Sequence, residues 1–222
     1  MNACSEQFYL GGPFVRIVEF LPEAGLRVAM HGTRRVLVEA QARAADLPLG
    51  SILLPWPCSN PEYEARMRQG CTRALEAGVE AIAFGDLFLA DIRQYRERQL
   101  AGTGLEPLFP LWGEPTERLA REMLTSGLRA RIACVNPKFL PAEFAGREFN
   151  EDLLGDLPAG VDPCGENGEF HSFVYAGPMF REPIHFHPGK VVSRDGFVFA
   201  DFELGAAGLR PCIEGAHECP GL

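Results

Sequence analysis

Residues 79–87, Val79-Glu80-Ala81-Ile82-Ala83-Phe84-Gly85-Asp86-Leu87, set the architecture. Valine, isoleucine and phenylalanine form a compact run before Gly85, the pattern of a buried strand. Residues 87–100 then place Leu89, Ile92, Arg96 and Leu100 at helical offsets. Upstream, a helix opens at Asn60-Pro61, with asparagine as N-cap and proline in the first helical position. Tyr63, Met67, Cys71 and Ala74 give that helix its apolar stripe, and Gly78 ends it. Before it come a short apolar strand (51–54) and a helix (33–46) with Val36, Ala40, Ala44 and Leu47 on one stripe. Arg34, Arg35, Gln41 and Arg43 point away from that stripe, and residues 15–20 form a strand ahead of it. Downstream, a helix runs from Pro115 to Gly127 and a strand from 128 to 135. Strands alternating with helices are the sequence form of βαβ units. They predict an α/β fold, a mostly parallel sheet with helices on both faces.

After Asn136-Pro137 the pattern changes, with glycine and proline frequent and helices short. A helix at 148–157, a strand at 170–175 and a hairpin over 183–204 turning at Asp195-Gly196 predict a smaller α+β part. The expected division is 1–135, 136–204 and a loose tail, 205–222.

With 222 residues, 46% of them hydrophobic, the chain can bury a real core. Its net charge of −9 disfavours a nucleic-acid partner, which would need a basic stripe. No run approaches the length of a membrane span, so no membrane partner is expected. Seven scattered cysteines without a CxxC pair, and a start lacking signal-peptide character, point to reduced thiols in a cytoplasm.

Three segments can carry chemistry. In Asp162-Pro163-Cys164-Gly165-Glu166-Asn167-Gly168-Glu169-Phe170-His171-Ser172, two glycines bracket Glu166-Asn167 and allow close ligand approach. Two carboxylates three residues apart on such a turn can hold magnesium, an ammonium group or a ribose. Glu169, His171, Phe173 and Tyr175 would share one face by alternation. An acidic, solvated β-turn is the competing reading. Gly85-Asp86 ends a strand where open parallel sheets bind ligands, although Asp86 can equally be a helix cap. Residues 27–35 set His31-Gly32 and several arginines at a helix start, which suits a phosphate or a solvated helix face. His185 and His187 have metal spacing without a matched third ligand.

In this order, three motifs resemble the PP-loop ATP-binding proteins related to diphthine–ammonia ligase, in the adenine nucleotide α-hydrolase superfamily. They are Met30-His31-Gly32 with Arg34 or Arg35, Phe84-Gly85-Asp86, and Gly165-Glu166-Asn167-Gly168-Glu169-Phe170-His171. Gly104-Leu105-Glu106-Pro107-Leu108-Phe109-Pro110-Leu111-Trp112 lies between the last two and adds to the likeness. The resemblance covers residues 15–204 and implies a Rossmann-like (HUP-type) nucleotide-binding sheet followed by a substrate-completing domain. It further implies ATP and Mg2+ as cofactors and a carboxylate activated as an acyl-adenylate for attack by ammonia. His31, Gly85 and Asp86 would then line the nucleotide. Glu166 and Glu169 would be catalytic, with Asn167 and His171 as substrate-site candidates.

The family's Ser-Gly-Gly-Lys-Asp-Ser loop does not occur in these residues; Gly11-Gly12-Pro13 is the one upstream double glycine. The expectation is therefore a sheet lacking its first strand, loop and first helix. A misplaced start, a frameshift or a genuinely shorter relative would each produce it. An uncovered apolar sheet edge should then favour homodimers or aggregates. The alternatives are a non-catalytic nucleotide- or metabolite-binding protein of this fold, or a metal-dependent hydrolase using His171, His185 and His187.

Overall fold

A computed structural model describes residues 7–10, 16–22, 27–28, 32–55 and 57–205. The first sheet contains β1 (Gln7–Leu10), β2 (Arg16–Pro22), β3 (Leu49–Leu54), β4 (Ala81–Phe84) and β5 (Glu106–Leu108). Their spatial order is β3-β2-β1-β4-β5. β2 pairs parallel with β3, and β4 parallel with β5. β1 lies between β2 and β4, antiparallel to both, with Gln7 opposite Phe84 and Leu10 opposite Ala81. Four of the five strands thus point one way. The expected gap in the sheet is filled by β1, whose amides and carbonyls pair those that β2 and β4 would otherwise leave open.

The second sheet contains β6 (Arg129–Val135), β7 (Phe170–Ala176), β8 (Phe186–Arg194) and β9 (Phe197–Leu204). It is antiparallel throughout, in the order β7-β6-β9-β8. The expectation that residues 128–135 extend the parallel sheet is corrected here, because β6 pairs with β7 and β9. A strand buried on both faces reads as a continuous apolar run in either kind of sheet. Ala130, Ile132 and Val135 belong to one core cluster and Ala133 to another. The Asp195-Gly196 turn forms as read, both residues at positive φ (52° and 82°) between paired Arg194 and Phe197.

Helix α1 (Arg35–Ala44) follows β2 and precedes β3 in the chain. Its apolar face is nevertheless buried on the second sheet, with Leu37, Ala40 and Ala44 against Ala133, Phe173, Ala200 and Phe202. The stripe read from the sequence is therefore rotated. Val36 is exposed, while Gln41 is buried and donates its amide to the Val174 carbonyl at 2.7 Å. A satisfied amide can enter a core that a bare hydropathy pattern denies it. Helices α2 (Asn60–Glu76) and α3 (Ala90–Leu100) bury Met67, Cys71 and Leu100 on the first sheet against Ile52, Ile82 and Phe84. The α2 cap is Ser59 rather than Asn60, because Ser59 and Glu62 form a reciprocal capping box. Helices α4 (Thr116–Thr125) and α5 (Glu151–Asp156) cover the other face of the second sheet, Ala120 and Leu153 packing with Ile132 and Phe170. Among the described residues no helix is long and apolar enough to cross a membrane.

Candidate functional site

The β4 end meets the turn at 162–169. After Phe84 and Gly85, the Asp86 carboxylate is buried and takes two hydrogen bonds from Arg96, Nε at 2.5 Å and Nη2 at 3.1 Å. The Arg96 guanidinium also lies 4.6 Å over the Phe84 ring. Asp86 is therefore an anchored ion rather than a helix cap. The helix begins only at Ala90, since both backbone groups of Leu87 are already engaged. Leu87 N–H donates to Glu166 Oε1 at 2.8 Å, and its carbonyl accepts from Gly113 N–H at 2.8 Å.

The Gly113 contact brings in the segment 104–112. Phe109 stacks on Phe84 with centroids 5.4 Å apart, and Trp112 meets Phe109 edge-on at 6.1 Å. Arg93 lies over both of these rings at 4.7 and 4.8 Å. Three of the quoted segments, 84–87, 104–112 and 162–171, thus converge on Leu87.

The turn is built on Asp162. Its Oδ2 accepts from Cys164 N–H at 3.1 Å and Glu166 N–H at 2.9 Å, so Glu166 is held from below while its carboxylate reaches Leu87. Gly165 and Gly168 both have positive φ (73° and 80°). A Cβ on Gly165 would come within 2.8 Å of the Phe170 carbonyl oxygen, so the position admits only glycine. Asn136, just past β6, donates its N–H to the Glu169 carbonyl at 2.8 Å and seats the turn on the second sheet.

The two glutamates differ. Glu166 is half-buried, and burial raises its pKa, with Asp86 and Asp162 adding to the rise against the Leu87 and Phe88 amides. Glu169 is buried at 1% exposure. Its Oε1 accepts from Asp162 N–H and Asn167 Nδ2, both at 3.0 Å, whereas its Oε2 is buried with no hydrogen-bond partner among the described residues. Burial, then the two neighbouring carboxylates, pushes the Cys164 thiol up to about 12, so it stays protonated at neutral pH. His171 is half-buried on β7, where Phe173 and Tyr175 pack toward α1.

The remaining sequence candidates lie elsewhere. His31 and Met30 are outside the described residues. Arg34 holds Asp201 through Nε at 2.9 Å and Nη2 at 2.6 Å and reaches Glu203, while Arg27 adds a third bond to Asp201. The described part of 27–35 is thereby tied to β9. Among the described residues no group of three or more His, Cys, Asp or Glu stands where it could hold a metal, so His171, His185 and His187 form no ligand set. The residues that sequence reasoning passed over are Arg96, Asp162 and Asn136. Arg96 sits where the helical pattern expects an apolar side chain, and only its fully buried position reveals the partnership with Asp86.

Residues 115–198 match the family model of the diphthamide synthase C-terminal domain. The human diphthine–ammonia ligase is 34% identical over 128 residues, covering 55% of this chain and 48% of the human protein. The zebrafish (Danio rerio) protein of that name is 31% identical over 56% of this chain and 51% of its own length. The Schizosaccharomyces pombe protein of the same name is 30% identical over 51% of this chain and 20% of its own. The chain spans about half the length of the animal relatives it matches, and less of the yeast one. Over about half of its length the chain is thus similar to diphthine–ammonia ligases, and its residues 115–198 match a domain of diphthamide synthases.

Proposed function

We propose that the chain is an ATP-dependent, amide-forming ligase in which the turn at 162–169 completes a nucleotide site at the β4 end. One observation carries this reading: Glu166 crosses from the second unit to the Leu87 amide, directly beside Asp86. In open α/β sheets ligands bind outside the carboxyl ends of parallel strands, and β4 is such a strand. The order β3-β2-β1-β4-β5, with four strands parallel, supports a Rossmann-like (HUP-type) sheet. Residues 129–204 would then form the substrate-completing unit.

In this reading ATP is cleaved between its α and β phosphates and the acid substrate becomes an acyl-adenylate. A carboxylate oxygen is a poor leaving group and AMP a good one, so ammonia can then displace AMP to give the amide. Gly85 and Asp86 line the nucleotide. The unpartnered Oε2 of Glu169 fits a cation, either ammonium or a magnesium ion that keeps most of its ligands as water and phosphate. Asn167 braces Glu169 through its side-chain amide, and His171 follows on β7 toward the acid substrate.

A second reading, a nucleotide-binding protein without turnover, draws support from Arg27 and Arg34. Both are committed to Asp201 instead of a phosphate. Calorimetry with ATP and Mg2+, together with an assay for AMP in the presence of ammonium, separates the two. The ligase reading expects binding heat and AMP, with Glu166→Gln lowering AMP formation at least tenfold. Heat without AMP would support the second reading, and the absence of both would overturn the nucleotide site.

A further inference from the structure

The turn at 162–169 gathers negative charge that no side-chain cation answers. Asp162 Oδ2 accepts from the amides of Cys164 and Glu166, at 3.1 and 2.9 Å. Glu166 accepts from the Leu87 amide, and Glu169 from the Asp162 amide and the Asn167 carboxamide. Every donor in this set is neutral. Among the described residues no salt bridge reaches Asp162, Glu166 or Glu169, and Arg96 pairs with Asp86 instead. The carboxylates also act on one another. Beyond the effect of burial, Asp86 and Asp162 push the pKa of Glu166 up, and Asp162 and Glu166 push that of Cys164 up.

Glu169 is the member of this set that a ligand must complete. Its side chain is one of the largest fully buried ones among the described residues. Two donors at 3.0 Å fix Oε1, so the carboxyl group cannot swing Oε2 toward water without breaking both bonds. Oε2 itself is buried with no hydrogen-bond partner among the described residues. A bare carboxylate oxygen in a dry place is costly, and a donor that carries positive charge removes the cost. The chemistry of that donor is narrow. Magnesium demands a near-octahedral shell and keeps several waters, which a single buried oxygen cannot accommodate. Among the described residues no group of three or more His, Cys, Asp or Glu stands where it could complete such a shell. An ammonium ion is compact and exchanges its water for hydrogen bonds from any of its N–H groups.

We infer that Glu169 Oε2 is the receptor for free ammonium and accepts one of its protons. That this ion is the nitrogen substrate rests on the ligase reading proposed above. Ammonium beside the carboxylate places two charges in a dry site, and passing a proton from nitrogen to Oε2 leaves two neutral groups. One N–H bond breaks and one O–H bond forms. The NH3 that remains has the free lone pair with which a nitrogen attacks an acyl carbon. Asp162 and Asn167, which hold Oε1, are positioning residues for this transfer.

The test reads binding without nucleotide, using the full chain. Thermal unfolding is followed in the chlorides of ammonium, potassium, tetramethylammonium and magnesium at equal ionic strength. Ammonium should raise the midpoint saturably. Potassium, of similar size but without donors, should need at least tenfold more for the same shift, and the other two should give none beyond ionic strength. Glu169→Gln should raise the half-saturating ammonium concentration at least tenfold. If that variant does not fold, NMR of isotope-labelled ammonium on the parent decides: a bound signal should be displaced by unlabelled ammonium and not by magnesium. No shift with ammonium, an equal shift with potassium or magnesium, or an undiminished shift in Glu169→Gln would overturn the site. In the AMP assay the same variant should raise the KM for ammonium at least tenfold and leave that for ATP unchanged. An equal rise in both would overturn the role in nitrogen delivery. Ammonium binding without AMP in the parent would keep this site and remove the ligase reading, and AMP without ammonium binding would do the reverse.

Discussion

The two sheets each fix a carboxylate with arginine, one in a dry setting and one in a wet setting. Asp86 and Arg96 leave only 6% and 4% of their side chains exposed. Asp201 keeps 16%, and its partners Arg27 and Arg34 keep 36% and 34%. The same chemistry therefore has different consequences. Removing one partner of the dry pair leaves the other charge buried, whereas water replaces a lost partner of the wet cluster. The dry pair sits under the proposed site, where it holds the β4 end rigid. The wet cluster fastens the chain at 27–34 to β9.

The sharpest way to break this contrast is Arg96→Met. It should destabilise the protein by about 3–5 kcal/mol in urea unfolding, since Asp86 would remain buried and unpaired. A loss below about 1 kcal/mol would mean that water reaches Asp86 and that the two sheets do not differ.

Next in size is Glu166, which joins the two sheets. Glu166→Ala leaves the Leu87 amide without its acceptor and should cost about 1–3 kcal/mol. Glu166→Gln keeps an acceptor oxygen and should stay within about 1 kcal/mol of the parent at acidic pH. The sign with pH follows from the raised pKa of Glu166. An acid whose folded pKa exceeds its unfolded value of about 4.3 adds stability below that value and loses it as pH rises through the folded pKa. The glutamine variant should therefore gain on the parent between about pH 4.3 and neutrality. Urea midpoints measured across that range, with no relative gain, would refute the burial of this carboxylate.

The smallest effect belongs to the wet cluster. Arg34→Gln should cost at most about 1 kcal/mol, and less in high salt. The hydrogen bonds from Arg34, then those from Arg27, hold the Asp201 carboxyl well below the usual carboxylate range. A depressed carboxylate stabilises the fold above its unfolded value of about 3.9 and loses that contribution as pH falls below it. Asp201→Asn should accordingly narrow its deficit against the parent in acid, below about pH 3.9. A deficit that persists unchanged there would show that Asp201 acts through shape and not charge.

Much of the local structure was legible. Compact apolar runs marked β4, β6 and β7, and Asp195-Gly196 marked the β8–β9 turn, because strand propensity and positive-φ turns are written in neighbouring residues. Two strands escaped. β1 lies in a stretch with too few residues to show a period, and β5 is three residues long with a proline inside. The α1 stripe was misjudged at Gln41, whose burial depends on the Val174 carbonyl more than a hundred residues away. Of the candidate site, Asp86, Glu166 and Glu169 could be picked from their glycine-flanked positions. That Asp86 would be locked by Arg96, and that Glu169 would turn inward with one bare oxygen, could not.

By itself the sequence determined where most strands and helices lie, which turns need glycine, and which motifs resemble the ligase family. Those properties follow from periodicity and backbone sterics within a few residues. Only the tertiary structure decided that β6 joins the antiparallel sheet, that α1 crosses to cover it, and that the turn at 162–169 rests on Leu87. Each of these depends on a long-range hydrogen bond or a shared core. The energy of such contacts is set by what stands opposite in space, and that cannot be read from neighbours in the chain.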